Sequence, residues 1–133
     1  MDLRKAFGTD SRLETEGVDI HLGGGAYVTI ARAGGSNARY ESAMRRHLAP
    51  HQKALALDAL DEKTAAEIMS AAYAETVVLG WRGIELDGEP VPFSVDTAKR
   101  LFRELPEFWR VVRDEAGKFA NFRAQEVNAL GES

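Results

Sequence analysis

The sequence predicts a mainly α fold with a small N-terminal β-hairpin, an α+β domain of four to five helices. Three observations predict it. Period-two alternation is confined to residues 18–30, apolar spacings of three and four run through most of the chain beyond residue 36, and a stiff stretch rich in glycine and proline, GWRGIELDGEPVPFS, joins two helical segments. At 133 residues and 14.6 kDa the chain has the size of one domain. The expected organisation is a flexible N-terminal arm over residues 1–15 and a single domain over 16–133, with the hairpin at 16–33 and helices across 36–130.

Residues 1–15 alternate charges with single apolar side chains, the pattern of a mobile or loosely docked arm. Val18, Ile20 and Leu22 then share one strand face, Gly23–Gly25 supply the reversal, and Tyr27–Ile30 resume with β-branched character. In NARYESAMRRHLAP, Tyr40, Met44 and Leu48 recur at four, with Ser36 or Asn37 as the cap and Pro50 as the break. Ala54–Leu60 reads as one or two further turns. The clearest helix starts at Asp61, where Ala65, Ile68, Met69, Ala72, Tyr73 and Thr76 form a stripe and early acids suit the helix dipole.

The connecting stretch reads as a structural clasp. Gly80 is placed to cap the preceding helix in the left-handed conformation, and Trp81 anchors the loop. The Asp87–Gly88 pair favours a tight turn, and Pro90 and Pro92 hold the next residues extended. Phe93 and Ser94 start the following helix as staple and N-cap. Leu105 and Pro106 divide that helix from a last one, in which Phe108, Trp109, Val112, Phe119 and Phe122 fall along a broad apolar stripe. Trp109, Phe119 and Phe122 together are more aromatic surface than a small domain is expected to hide, so these three are candidate partner-binding residues.

Composition narrows the function classes. The absence of cysteine excludes disulfides, thiolate metal sites and cysteine nucleophiles. A net charge of -4 gives no global attraction to nucleic acid, and no run is apolar enough to span a bilayer, so neither nucleic acid nor membrane is an expected partner. The N-terminal residues lack the apolar centre of a secretory signal, which predicts a protein that is not exported. Charge is uneven, however. Residues 39–53 are basic, whereas Asp58 to Asp96 carry nine carboxylates against Lys63 and Arg82. Two solvated helix faces are the simpler reading and the one adopted; the sharper one is that patches of opposite sign orient copies of the protein, or a partner, during docking.

Catalytic and metal motifs are weak. His47 and His51 lie four apart, but HLAPH lacks the glutamate of a metalloprotease helix and Pro50 disturbs the turn that would align the rings. LGGGAY leads into a strand rather than the helix N-terminus that a phosphate loop requires. The serines follow no nucleophile-elbow pattern. The expectation is a non-enzymatic protein with no catalytic residues, no cofactor and no metal.

The order of these signals resembles a known family. A helix ending in ETVVLGWRGIELDGEPVPFSVDTAKRLFRELPEFW, followed by KFANFRAQE and preceded by MDLRKAFGTDSRLETEGVDIHLGGGAYVTIARAGGSNARY, is similar to the tail assembly chaperones of long non-contractile-tailed bacteriophages (siphophages) and prophages. Trp81, Gly83, Gly88, Pro90, Phe93, Ser94, Leu101, Pro106 and the Asn121, Phe122, Arg123 run carry the likeness most strongly. The resemblance implies an assembly factor of virion morphogenesis. It would bind the tape measure protein, keep it soluble, help recruit the major tail tube protein, and self-associate. It would act in the host bacterial cytoplasm and be absent from the mature virion. Arg123 joins Trp109, Phe119 and Phe122 as a partner-binding candidate. The alternative is a structural tail connector or tube-associated protein retained in the particle.

Overall fold

The computed structural model describes residues 1–124, and within them the mainly helical α+β architecture is observed. Two short helices, α1 (Leu3–Phe7) and α2 (Ser11–Glu16), open the chain, each started by an aspartate, Asp2 or Asp10, whose carboxylate accepts amides of the first turn. Strands β1 (Val18–Gly23) and β2 (Ala26–Ile30) form the hairpin, with Val18 opposite Ile30 and His21 opposite Tyr27.

The helices expected beyond residue 36 are α3 (Ala38–Leu48), α4 (Gln52–Ala56), α5 (Glu62–Thr76), α6 (Val95–Glu104) and α7 (Pro106–Gly117). They are not continuous across 36–130. A third strand, β3 (Val78–Arg82), interrupts them and pairs antiparallel with β2, making β2 the central strand of three. A second small hairpin, β4 (Glu85–Leu86) and β5 (Glu89–Pro90), lies between β3 and α6.

Helix α5 ends at Thr76 because a β-branched run, Thr76–Val78, begins there and an edge of β2 is available to pair with it. Gly80 therefore does not cap a helix. It sits inside β3 opposite Thr29 without a left-handed φ, and the left-handed glycines of this stretch are Gly83, at φ 73°, and Gly88, at φ 82°. A Cβ on Gly83 would collide with the carbonyl oxygen of Gly25, so only glycine lets the chain leaving β3 pass the first hairpin turn.

Val28 and Ile30 of the sheet meet Tyr73, Ala74, Val77 and Val78 of the α5–β3 segment. Ala98 and Phe102 of α6 and Val112 and Ala116 of α7 close the core, together with Phe122. The outer sheet face is polar: Thr29 donates to Asp19 at 2.6 Å, Arg82 pairs with Asp19 at 3.2 Å, and the Arg82 guanidinium lies over the Tyr27 ring.

The stretch read as an arm is tied to both ends of the fold. The Asp10 amide donates to the Phe122 carbonyl at 2.8 Å and the Ala124 amide to the Gly8 carbonyl at 2.9 Å, around an antiparallel bridge between Thr9 and Arg123. Glu14 is 2% exposed and pairs with Arg32 at 2.5 Å, while the Ser36 amide donates to its other oxygen at 3.0 Å. The chain wraps this carboxylate closely at Gly35, φ 54°, where a Cβ would collide with Glu14 Oε2. Asn37, expected as a possible cap of α3, makes no capping bond. Its buried amide donates instead to the carbonyls of Arg32 and Thr76, joining the exit of β2 to the end of α5.

Candidate protein-binding groove

Small residues on α5 create the site. Ala72 and Ala74 face inward, and Ala66, Ser70 and Ala71 on the neighbouring surface leave a trough against α6 of about 410 Å³. Phe102 of α6 and Trp109 of α7 supply the aromatic carbon that lines it. Helix α6 begins cleanly because the Ser94 hydroxyl accepts the Thr97 amide at 3.0 Å, and Pro106 at the first position of α7 sets the turn that carries Trp109 back towards α5.

Trp109 is half-buried and its ring is fixed on several sides. It meets Tyr73 edge-on at 5.0 Å and Phe102 at 4.8 Å, and the Arg113 guanidinium sits 5.1 Å from its centre. Tyr73 also packs edge-on against Tyr40 at 5.5 Å, and burial, followed by the neighbouring Tyr40, pushes the Tyr73 hydroxyl up to about 12. The groove rim carries Lys63, Lys99 and Arg103 against Glu67, so its border is net positive. An apolar floor with a charged border suits a helix or turn that presents aliphatic side chains flanked by acids.

The sequence-predicted partner residues do not form one strip. Trp109 lines the groove. Phe119 lies in a 3₁₀ turn, Phe119–Phe122, beyond α7, with the Phe7 ring 6.1 Å away and the Arg123 guanidinium 5.2 Å above it. Phe122 is 0% exposed and belongs to the core, which corrects the expectation that it offers surface to a partner. Helical periodicity placed Phe119 and Phe122 on one stripe with Trp109, but α7 stops at Gly117. There the Asn121 side-chain amide donates to the Glu115 carbonyl and to its carboxylate, each at 2.8 Å, and the chain turns Phe122 inward. The part of the expected last helix over residues 125–130 lies outside the described residues.

The clasp residues occupy one corner beside this layer. Trp81 Nε1 donates to the Val91 carbonyl at 2.7 Å, and its ring meets Phe93 edge-on at 5.1 Å and Phe108 at 6.3 Å. Asp87 and Gly88, φ 52° and 82°, make the turn between β4 and β5, and Pro90 pairs with Glu85.

His47 and His51 do not face a common point with a third ligand: among the described residues no group of three or more His, Cys, Asp or Glu converges as a metal site. His47 instead contacts both Glu75 oxygens at 3.1 Å, and Arg46 pairs with the same carboxylate. Glu75 thus absorbs part of the basic charge of α3. No described helix is long and apolar enough to cross a membrane.

A family profile described as YdaY prophage protein matches residues 35–132, nearly three quarters of the chain. The chain belongs to the YdaY prophage protein family. Comparisons with curated proteins and with solved structures returned no match. The matched region of this YdaY family chain contains every residue that lines the groove and all of the clasp. Sequence reasoning found Trp109 through its place in an apolar stripe. It missed Phe102 and the cationic rim, whose signal was the pairing of an alanine-rich face on α5 with Lys99 and Arg103 on the next long helix.

Proposed function

We propose that this prophage protein is a non-enzymatic tail assembly chaperone that binds a long helical client, the tape measure protein, in the groove between α5 and α6. The observation that carries the reading is the carbon floor formed by Ala66, Ala71, Phe102 and Trp109 in a chain of phage origin. The likeness of GWRGIELDGEPVPFS and its flanking helices to tail assembly chaperones gives the client its identity. A rod-like client exposes an apolar stripe along its length, and many copies of a small groove-bearing protein would remove that stripe from water. Modest contacts repeated along a rod gain from avidity yet release one at a time, which allows tail tube subunits to replace the coat.

Co-expression with the tape measure protein of the same prophage tests the reading. The wild-type chain should keep the client soluble. Ala66→Glu, which places a charge on the exposed part of the groove floor without touching the core, should abolish that effect and leave the melting temperature unchanged. Aggregation of the client to the same extent with and without the wild-type chain would count against the proposal. Recovery of the chain in purified particles would favour a retained connector or tube-associated role instead.

A further inference from the structure

We infer that the same groove is the docking site for a second copy of this chain, which inserts its α4–α5 turn, so that two copies pair reciprocally as a two-fold dimer. The inference goes beyond the client reading and does not depend on the client's identity: second copy and client use one groove, so they bind in turn and the client displaces the partner copy. It starts from two features that complement each other on one molecule.

The first is the groove, apolar within and bordered by Lys63, Lys99 and Arg103, none of which has an ion-pair partner among the described residues. The second is the turn that leaves α4. Leu57 is 67% exposed and Leu55 39%, two aliphatic side chains within three residues. Asp58, Asp61 and Glu62, all exposed, come directly after. The turn is held by its own backbone: the Leu57 amide donates to the Lys53 carbonyl at 3.1 Å and the Ala59 amide to the Ala54 carbonyl at 2.7 Å. Asp58 takes the left-handed conformation at φ 53°, one of two non-glycine residues to do so among those described. A preformed turn loses little freedom when it docks.

Aliphatic knob meets carbon floor, and Asp58 and Glu62 meet Lys99 and Arg103 of the rim, while Asp61 caps its own helix through the Thr64 amide and acts on Lys63 of the same chain. The turn and the groove also lie side by side, because Asp61 and Glu62 open the helix whose next residue, Lys63, already borders the groove. Adjacent donor and acceptor surfaces satisfy the geometry of a self-complementary interface, in which each copy gives its turn and receives its partner's, and the assembly closes at two.

Sedimentation equilibrium of the full chain, with no client present, tests this separately from the chaperone reading. The wild-type protein should dimerise. A turn variant, Leu57→Asp, and a groove variant, Lys99→Glu with Arg103→Glu, should each raise the dimer dissociation constant by more than about 100-fold while keeping the wild-type circular dichroism and, at concentrations where the wild type is itself monomeric, its melting temperature. Mixing the two variants should restore a heterodimer weaker than the wild-type dimer, since one intact turn–groove contact survives in it. On the unaltered protein, higher salt should weaken dimerisation, which reads the charged part of the contact without any substitution. A monomeric wild-type chain, variants that dimerise as well as wild type, or a mixture that stays monomeric would each overturn the inference.

Discussion

Replacing Glu14 by glutamine keeps the side chain's shape and removes its charge, so it isolates what this enclosed carboxylate contributes. Burial disfavours the charged form, but hydrogen bonds from Arg32, from the Ser36 residue and from Thr9 outweigh it and bring the pKa from its ordinary 4.5 down to about 2. The folded state therefore holds the proton less readily than the unfolded chain does. The resulting stabilisation is complete above the unfolded value and drains away as pH falls through the interval towards about 2. At about 1.4 kcal/mol for each pH unit, the ion-paired carboxylate is worth about 3 kcal/mol at neutral pH. Glutamine still accepts the Ser36 amide, but it turns an N–H group towards the Arg32 guanidinium, donor against donor. Glu14→Gln should accordingly lose about 2–4 kcal/mol at pH 7. Urea unfolding of both proteins at pH 7 and pH 3 is the assay. The gap between them should narrow by about 2 kcal/mol at pH 3, where the wild type has lost most of its advantage. Asp19, Asp61 and Glu115, also held below the ordinary carboxylate range, respond equally in both proteins and cancel in the comparison. A variant within about 0.5 kcal/mol of wild type, or a gap independent of pH, would refute the reasoning.

Three further outcomes rest on the packing. Phe122→Ala empties a fully enclosed position and should lower stability by about 3–5 kcal/mol in thermal or urea unfolding; a loss of under about 1 kcal/mol would place that ring outside the core. Gly83→Ala forces a β-carbon against the Gly25 carbonyl from a left-handed backbone, and should cost more than about 1 kcal/mol, whereas alanine at Gly80, which has nothing within 4 Å, should cost less. Tyr73, raised to about 12 by burial and then by Tyr40, stays protonated in the folded state after an ordinary phenol has ionised. Stability from this group is whole below the unfolded pKa of about 10 and fades as pH rises through 12, so phenolate absorbance should report Tyr73 ionising at higher pH in the folded protein than in the urea-unfolded chain.

What could be read in advance was local. The Ser94 cap and the hairpin at Val18–Ile30 are set by neighbours within a few residues, and both are found where the pattern placed them. Strand β3 was hidden because its fate is decided at a distance: a helix-like run continues through Val78 and Leu79 until β2, far earlier in the chain, offers an edge. Phe119 and Phe122 have the same chemistry and a helical spacing, yet a bend at Lys118 sends one towards Phe7 and the other into the core. Glu14 looked like any solvated acid in a charged segment. Its partner Arg32 and the wrapping Gly35 were visible, but their meeting depends on where the hairpin ends. Asp2 and Asp10, each ahead of a short run of good helix formers, were a signal for the two opening helices that the charge alternation obscured.

The backbone ladder linking Gly8–Asp10 to Phe122–Ala124 brings the first and last of the described residues to one doorway. Residue 1 lies only one short helix, about 10 Å, from that point. A short linker from residue 124 to residue 1 should therefore suffice, and new termini cut at the Gly24–Gly25 turn should leave a circularly permuted form of residues 1–124 that folds.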